Sequence, residues 1–465
     1  MTHAADIQSF QAAFGSRLHV PGDADYDRGR SLWNGAIDRR PAAIAHCETA
    51  GQVADAIRFA RGSGLQIAVR GGGHSYAGHS SCDGGLMIHL GAMNSVIVDP
   101  AARRVRCGGG ATWADVDAAT QRHALAVPGG FVSHTGVGGL TLGGGIGWLT
   151  KMAGLSCDNL VGAELVTADS RVVQVSAQHT PELLWALRGG GGNFGVVTSL
   201  EFALHPVGPL VHLGLFFFGL ERGVEALRFA RGYIESLPHN ASGFLAIGLS
   251  APPAPFVPQE HHLKPGHALL VAGFGTAEQH AAAVAPIRDA VTPLFEFVTP
   301  MPYANLQRLF DESAAWGLQA YQKSLYLDEL SDPVISILDR YLPQRASPLS
   351  FCPTFPMNGA YRRVGDADTA FGGSRSSRYV INIEALSPER AAYEADRTWV
   401  RGLWEALLPH AGGAGGYVNF MADADAARVR ASYGDAKYRR LARVKAEYDP
   451  QNVFRLNANI EPAPG

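Results

Sequence analysis

Cysteine is scarce in this 465-residue chain: Cys47, Cys82, Cys107, Cys157 and Cys352 are the whole set. An odd number with no Cys-x-x-Cys pair argues against a disulfide framework or a zinc site and favours a reducing compartment. Charge of one sign is lacking as well. The 39 Lys and Arg nearly balance the 42 Asp and Glu, and the formal net charge of −3 leaves no electrostatic footprint for nucleic acid or an acidic membrane. Long hydrophobic runs are missing: the apolar stretch 213–220 is too short to span a bilayer and reads as a buried strand. The N-terminus has no basic segment followed by an apolar one, so no secretory signal is expected. His261, His262 and His267 lack metal-ligand spacing, and no metal is expected. These absences leave a bacterial, cytoplasmic protein with no nucleic-acid or membrane partner as the expectation.

Glycine is what the chain has in excess. Its 55 glycines cluster around 71–73, 108–110, 136–147 and 189–195, without a collagen-like or low-complexity period. Clustered glycine in a globular chain marks tight turns or close approach of the backbone to something else. The length exceeds one ordinary core, so two domains are expected. Residues 42–47 read as a strand. Thr49-Ala-Gly-Gln52 reads as a capping box opening a helix that stops at Gly62 or Gly64, and residues 65–70 read as a second strand closed by a glycine turn. Glycine turns after strands are where α/β folds place ligands. This one is not the dinucleotide fingerprint, because residues 75–85 continue as loop rather than helix. Short strands follow at 86–90, 95–99 and 103–108, then a helix at 113–123, a hairpin over 160–175, a helix at 181–187 and a strand at 196–204. After His205-Pro206 the strands lengthen and become aromatic, at 211–220, 243–249 and 267–274. Helices at 223–236 and 278–291 alternate with them, which reads as an antiparallel sheet with helices packed on it. Residues 252–258 read as an exposed proline-rich excursion. Arg439, Arg440, Arg443 and Lys445 read as the solvated face of a helix stopped by Asp449-Pro450. Trp113, Trp148, Trp185 and Trp316 read as core.

Five motifs in order carry a family resemblance. They are Arg70-Gly-Gly-Gly-His-Ser-Tyr-Ala-Gly78, the glycine-rich run 135–147, Arg188-Gly-Gly-Gly-Gly-Asn-Phe-Gly195, Tyr417-Val-Asn419 and Tyr448-Asp-Pro-Gln-Asn-Val-Phe-Arg-Leu-Asn-Ala-Asn459. Together, from about residue 25 to the end, they closely resemble the bacterial type of berberine-bridge-enzyme-like FAD oxidoreductases, which have the vanillyl-alcohol-oxidase or PCMH-type fold. The resemblance implies an α+β chain: a PCMH-type FAD-binding domain of two α/β subdomains, with an inserted substrate domain of antiparallel sheet covered by helices. The FAD-binding domain would be residues 1–205 and 425–465, and the substrate-binding domain 206–424.

The resemblance also implies a cofactor site. Backbone N–H groups of glycine turns form nests for anions such as a pyrophosphate. Gly71, Gly72 and Gly73 with Ser75, and Gly136, Gly138, Gly139, Gly143, Gly144 and Gly147, offer two such cradles. Arg70, Gly78, His79, Asp158, Gly195, Val197, Asn457 and Asn459 complete the expected contacts. His74 matches the family's covalent histidine, and a neutral imidazole can attack the electrophilic ring methyl of an oxidised flavin. Some members add a cysteine link four residues before the Gly-Val-Gly-Gly run. That position is Val132 here, so a single bond through His74 is expected, with Cys157 a small buried residue rather than a second attachment point.

Thr135 stands where the family is thought to gate oxygen. Tyr417 and Asn419 match a pattern that borders the pocket. Residues 379–385 alternate as a strand, which puts Asn382 and Glu384 on one face, and Glu384 is the candidate carboxylate base. Tyr76 is a further candidate. The expected enzyme is an FAD-linked oxidase that takes hydride from a small organic substrate, ring-bearing or alcohol-like, to flavin N5, with O2 returned as hydrogen peroxide. The alternatives are an oxygenase or cyclase acting on a natural-product intermediate through a flavin–oxygen adduct, and a flavin-binding protein without turnover. Oligomeric state is not legible.

Overall fold

The computed structural model describes residues 2–413, 415–423 and 425–464. The endpoints Met1, Ala424 and Gly465 of the expected division lie outside the described residues.

The first layer is small and mostly parallel. Strands β1 (Leu18–His19), β2 (Ala43–His46), β3 (Ile67–Arg70) and β4 (Leu86–His89) form a sheet in the order β1-β2-β4-β3, with β4 parallel to both neighbours. The helix Ala50–Gly62 crosses from β2 to β3 and buries Val53, Ala54, Ala56, Ile57 and Ala60 against this layer. Its start follows the expected chemistry: Thr49 Oγ1 accepts from the Gln52 backbone N–H. The return bond differs from a capping box, because Gln52 Oε1 accepts from Glu48 N, one residue earlier.

The second layer is antiparallel. It contains β5 (Val96–Asp99), β6 (Arg104–Gly108), β8 (Leu160–Val166), β9 (Val172–Ser176) and β10 (Val196–Ala203) in the order β5-β6-β10-β8-β9; the short β7 (Leu125–Ala126) pairs separately with β11 (His205–Pro206). The long helix Ala426–Tyr448 returns to this layer and buries Val429, Tyr433, Leu441 and Val444 in its core.

The third layer is a seven-stranded sheet, antiparallel throughout. Its strands are β12 (Leu210–Gly219), β13 (Ala241–Ser250), β14 (Pro265–Gly273), β15 (Phe295–Pro302), β16 (Gln319–Leu327), β17 (Cys352–Pro356) and β18 (Tyr379–Ser387), ordered β15-β12-β14-β13-β17-β18-β16. Helices Gly223–Ser236, Asp332–Tyr341 and Arg390–Leu407 cover one face, where Ile381, Ile383 and Ala385 are buried. The opposite face meets Trp148, Leu149 and Cys157. Both faces are covered, which is why inner strands such as β12 and β14 read as near-continuous apolar runs.

Three sequence expectations need correction. Lys445 is not on a solvated face: it is fully buried, and its Nζ donates to Asp449 Oδ2 at 2.7 Å, to Asn193 O at 2.8 Å and to Phe454 O at 2.9 Å. Its helix is wedged between the 188–195 turn and the tail, so the side facing inward must satisfy their carbonyls. Arg440 pairs with Glu182 and lies over the Trp185 ring at 3.8 Å, while Arg439 and Arg443 are exposed. Trp316 is not core. It is 46% exposed, with Arg70 under its ring and His74 against its edge, because it caps the glycine turn from outside. The 252–258 excursion is partly docked: Val257 is buried and Phe256 stacks on Phe297.

Lys445→Ala strands the Asp449 carboxylate in a buried site. The expected loss is about 3–5 kcal/mol, the cost of removing one partner of a buried ion pair, measured by denaturant unfolding.

Candidate active site

Two glycine turns from different layers touch. A Cβ built on Gly72 would stand 2.2 Å from the Gly136 nitrogen, and one built on Gly136 would stand 2.4 Å from the Gly72 nitrogen. No side chain fits there, so the backbones meet directly, and the turns open on their other side into a cavity of about 420 Å³.

The glycine-lined wall of this cavity includes Gly71, Gly72, Gly73, Ser75, His79, Gly136, Gly138, Gly139, Gly143, Gly191, Gly192, Gly195 and Val197. Gly139 and Gly192 face open space, since a Cβ on either would meet nothing within 4 Å. Asn457, from the C-terminal tail, lines the same wall and presents a buried Oδ1 with no hydrogen-bond partner. Bare backbone and an unsatisfied amide oxygen fit a ligand with an anionic linker and a polar ring system.

His74 stands where the two turns meet. Its ring stacks on Trp33 with centroids 5.1 Å apart and an interplanar angle of 16°. Its Nε2 is 2.7 Å from His134 Nδ1. Burial, reinforced by the neighbouring His134, lowers the His74 pKa to about 3, so the ring is neutral. Thr135 and Val132 also line the cavity.

On the facing sheet β18 alternates as expected, with Asn382, Glu384 and Leu386 toward the cavity. Glu384 accepts a hydrogen bond from the Tyr76 hydroxyl. Burial pushes the Glu384 carboxyl up to about 7, opposed in part by that bond. The Tyr76 phenol is raised too, by burial and by the carboxylate. Asn382 Nδ2 donates to Gln322 Oε1 at 2.7 Å, and its Oδ1 is buried without a partner. Tyr417 accepts from Gly145 N at 2.7 Å and from Asn419 Nδ2 at 2.8 Å, while Asn419 also donates to Leu140 O. Burial raises the Tyr417 phenol, which keeps its proton at neutral pH. Tyr417 and Asn419 both line the cavity, as expected, and they also clamp the glycine run 140–145.

Six expected cofactor contacts lie behind this wall. Arg70 is turned under the glycine loop, where it donates to Gly29 O and meets His89. Gly78 packs on Ile37 and Arg39, Gly144 on Phe371 and Tyr417, and Gly147 on the Gly129 carbonyl. Asp158 is spent in a buried ion pair with Arg375 at 2.6 Å. Asn459 donates to Glu461. The Asn459 Oδ1 and the Arg70 Nε are buried without a partner. Cys157 is fully buried, with its thiol raised by desolvation, and it does not line the cavity. Sequence reasoning missed His134 and Trp33. The place of His134 beside the glycine run was the only signal for it, and nothing in the sequence marked Trp33.

The remaining wall is aromatic. Phe131 packs on Phe244 and Phe355 with centroids 5.1 Å apart in each case, and Phe244 meets Phe310 at 5.4 Å. Among the described lining residues Glu384 is the only carboxylate, and none is Lys or Arg. Among the described residues no three His, Cys, Asp or Glu are placed to hold a metal, and no helix is long and apolar enough to cross a membrane.

A glycine-lined cradle facing a buried acid and an aromatic wall defines a flavin-type oxidoreductase site, and comparison with known proteins gives the family. An FAD binding domain model matches residues 41–176, and a berberine and berberine-like model matches residues 416–461. The (R)-6-hydroxynicotine oxidase of Paenarthrobacter nicotinovorans is 31% identical over 95% of this chain and 96% of its own length. The crystal structure of 6-hydroxy-D-nicotine oxidase from Arthrobacter nicotinovorans superposes with a TM-score of 0.85 at 27% identity, covering 96% of this chain and 98% of that one. The glucooligosaccharide oxidase of Acremonium strictum, which carries a 6-S-cysteinyl, 8α-N1-histidyl FAD, shares the fold with a TM-score of 0.85 at 23% identity over 99% of this chain and all of that one. The chain belongs to the berberine-bridge-enzyme-like FAD-linked oxidoreductases, with their PCMH-type fold, and it binds FAD.

Gly72→Ala forces the two turns apart at a backbone contact. It is expected to cost at least about 1–3 kcal/mol and to lower FAD occupancy, read from the flavin absorbance per protein after gel filtration.

Proposed function

We propose that this chain is an FAD-dependent oxidase in which Glu384 is the base and His74 alone carries the cofactor covalently. Residues 1–205 with 425–465 hold the cofactor, and residues 206–424 supply the substrate face. The observation that carries the reading is the buried Glu384 on β18, aimed into the cavity whose opposite wall is glycine. A carboxyl poised near neutral accepts a proton from a substrate hydroxyl or amine more readily than one at its ordinary value. Tyr76 orients that carboxylate through its hydroxyl. The unpaired Asn382 Oδ1 offers an acceptor to a donor group on the substrate.

The glycine turns, Ser75, His79 and Asn457 would hold the cofactor, and His74 would join its ring methyl. Bound there, FAD supplies the hydride acceptor, and O2 takes the electrons on to hydrogen peroxide. Val132 supports a single link, since it gives no thiolate where a second one would form. The aromatic wall and the lack of a cationic lining residue support a ring-bearing, largely apolar substrate.

Two outcomes test the reading. Acid-precipitated wild-type protein is expected to give a yellow pellet, with FAD mass on the peptide containing His74 and none on that containing Cys157. A colourless pellet defeats the covalent claim. With an oxidisable aromatic substrate, kcat/KM is expected to rise with pH through about 7, because the deprotonated Glu384 is the active form. Glu384→Gln is expected to remove that limb and lower kcat by about 10²–10⁴-fold; an unchanged profile assigns the base elsewhere.

A further inference from the structure

We infer that His134 is a positioning residue for flavin attachment: by hydrogen bonding to Nε2 of His74 it holds the lone pair of that ring on Nδ1 and takes up the proton that attachment displaces. The inference rests on the proposed covalent role of His74.

A ring nitrogen pair 2.7 Å apart requires one N–H and one lone pair. When His74 Nε2–H donates to His134 Nδ1, the free lone pair of His74 lies on Nδ1, the ring nitrogen that His134 does not use. No other hydrogen bond reaches the ring among the described residues, so the direction of this one sets the tautomer. Among the described residues His134 is the only side chain hydrogen-bonded to the His74 ring, because Trp33 stacks on its face and spends its own N–H on Ala314 O. Stacking on Trp33 and edge contact with Trp316 at 5.8 Å fix the ring plane but leave the proton undetermined.

His134 is itself held. On its N-terminal side Ser133 gives its N–H and hydroxyl to Asp311, at 2.8 and 2.6 Å. On its C-terminal side the Thr135 carbonyl accepts from Trp113 N at 3.1 Å. The Gly72–Gly136 contact sets the register: His74 lies two residues after one of these glycines and His134 two residues before the other.

The overall step balances. A nitrogen–carbon bond forms between His74 and the flavin ring methyl, the imidazole N–H hydrogen and one methyl hydrogen leave, and the two electrons pass to O2, giving hydrogen peroxide. As the bond forms at Nδ1, positive charge develops on the ring. A hydrogen-bond acceptor at Nε2 lets that charge leave as a proton inside a site that disfavours a buried cation.

The test compares wild type, His134→Ala and His134→Asn. Purified proteins are incubated with FAD in air, and covalent flavin is followed by acid precipitation and peptide mass while noncovalent FAD is measured in the supernatant. The alanine variant is expected to hold FAD but to link it about 100-fold more slowly, the scale of one lost acid–base partner. The asparagine variant, whose side-chain oxygen can accept from Nε2–H, is expected to recover most of the rate. Linkage at the wild-type rate in His134→Ala overturns the inference and leaves the role of His74 standing. Loss of FAD binding in both variants overturns it in favour of a purely structural role. Noncovalent FAD in the wild type overturns both readings together.

Discussion

The contact between Gly72 and Gly136 is the constraint on which the rest of the site depends. Two backbones from different layers approach until no Cβ fits between them. That contact closes the floor of the cavity, and it brings together His74 and His134, which are 60 residues apart. A side chain at either glycine would separate the turns and take the histidine pair with them. The bare glycine backbone along its wall is what suits the cavity to an anionic linker.

Burial then assigns protonation states across the cavity. The same removal from water that keeps His74 neutral holds Glu384 near its protonation midpoint at neutral pH. One effect thus leaves a neutral imidazole on the glycine wall and a carboxyl near its midpoint on the sheet wall. Tyr417 shows the limit of this logic: its phenol is buried as well, but the shift retains its proton, and its two accepted bonds tie the glycine run to the 417–420 turn. Aromatic packing around Phe131 completes the enclosure without adding charge.

Two buried ion pairs hold the cavity walls in register. Lys445 joins Asp449 to the carbonyls of Asn193 and Phe454, and so fixes the tail that carries Asn457. Arg375 joins Asp158, tying the segment after the glycine run to the third sheet through its neighbour Tyr361. Neither pair touches the cavity. Their value lies in placing segments that do; the three bonds of Lys445 Nζ and the two-pronged contact of Arg375 with Asp158 offset their cost in desolvation.

The sequence by itself determined the local features. Strand and helix positions followed from apolar periodicity and caps, as with Thr49 at the start of its helix and the alternation that turns Asn382 and Glu384 to one side of β18. The glycine clusters and the five ordered motifs were enough to name the family, because both are short-range patterns written in consecutive residues. The tertiary structure decided whatever depends on neighbours distant in the chain. Only packing shows that Lys445 turns inward, that Trp316 caps a turn instead of filling a core, and that Asp158 is spent in an ion pair with Arg375. Only packing brings His134 to His74. A motif records which residues are present, whereas burial and pairing, which set charge and tautomer, are fixed by side chains that the folded backbone brings together from elsewhere.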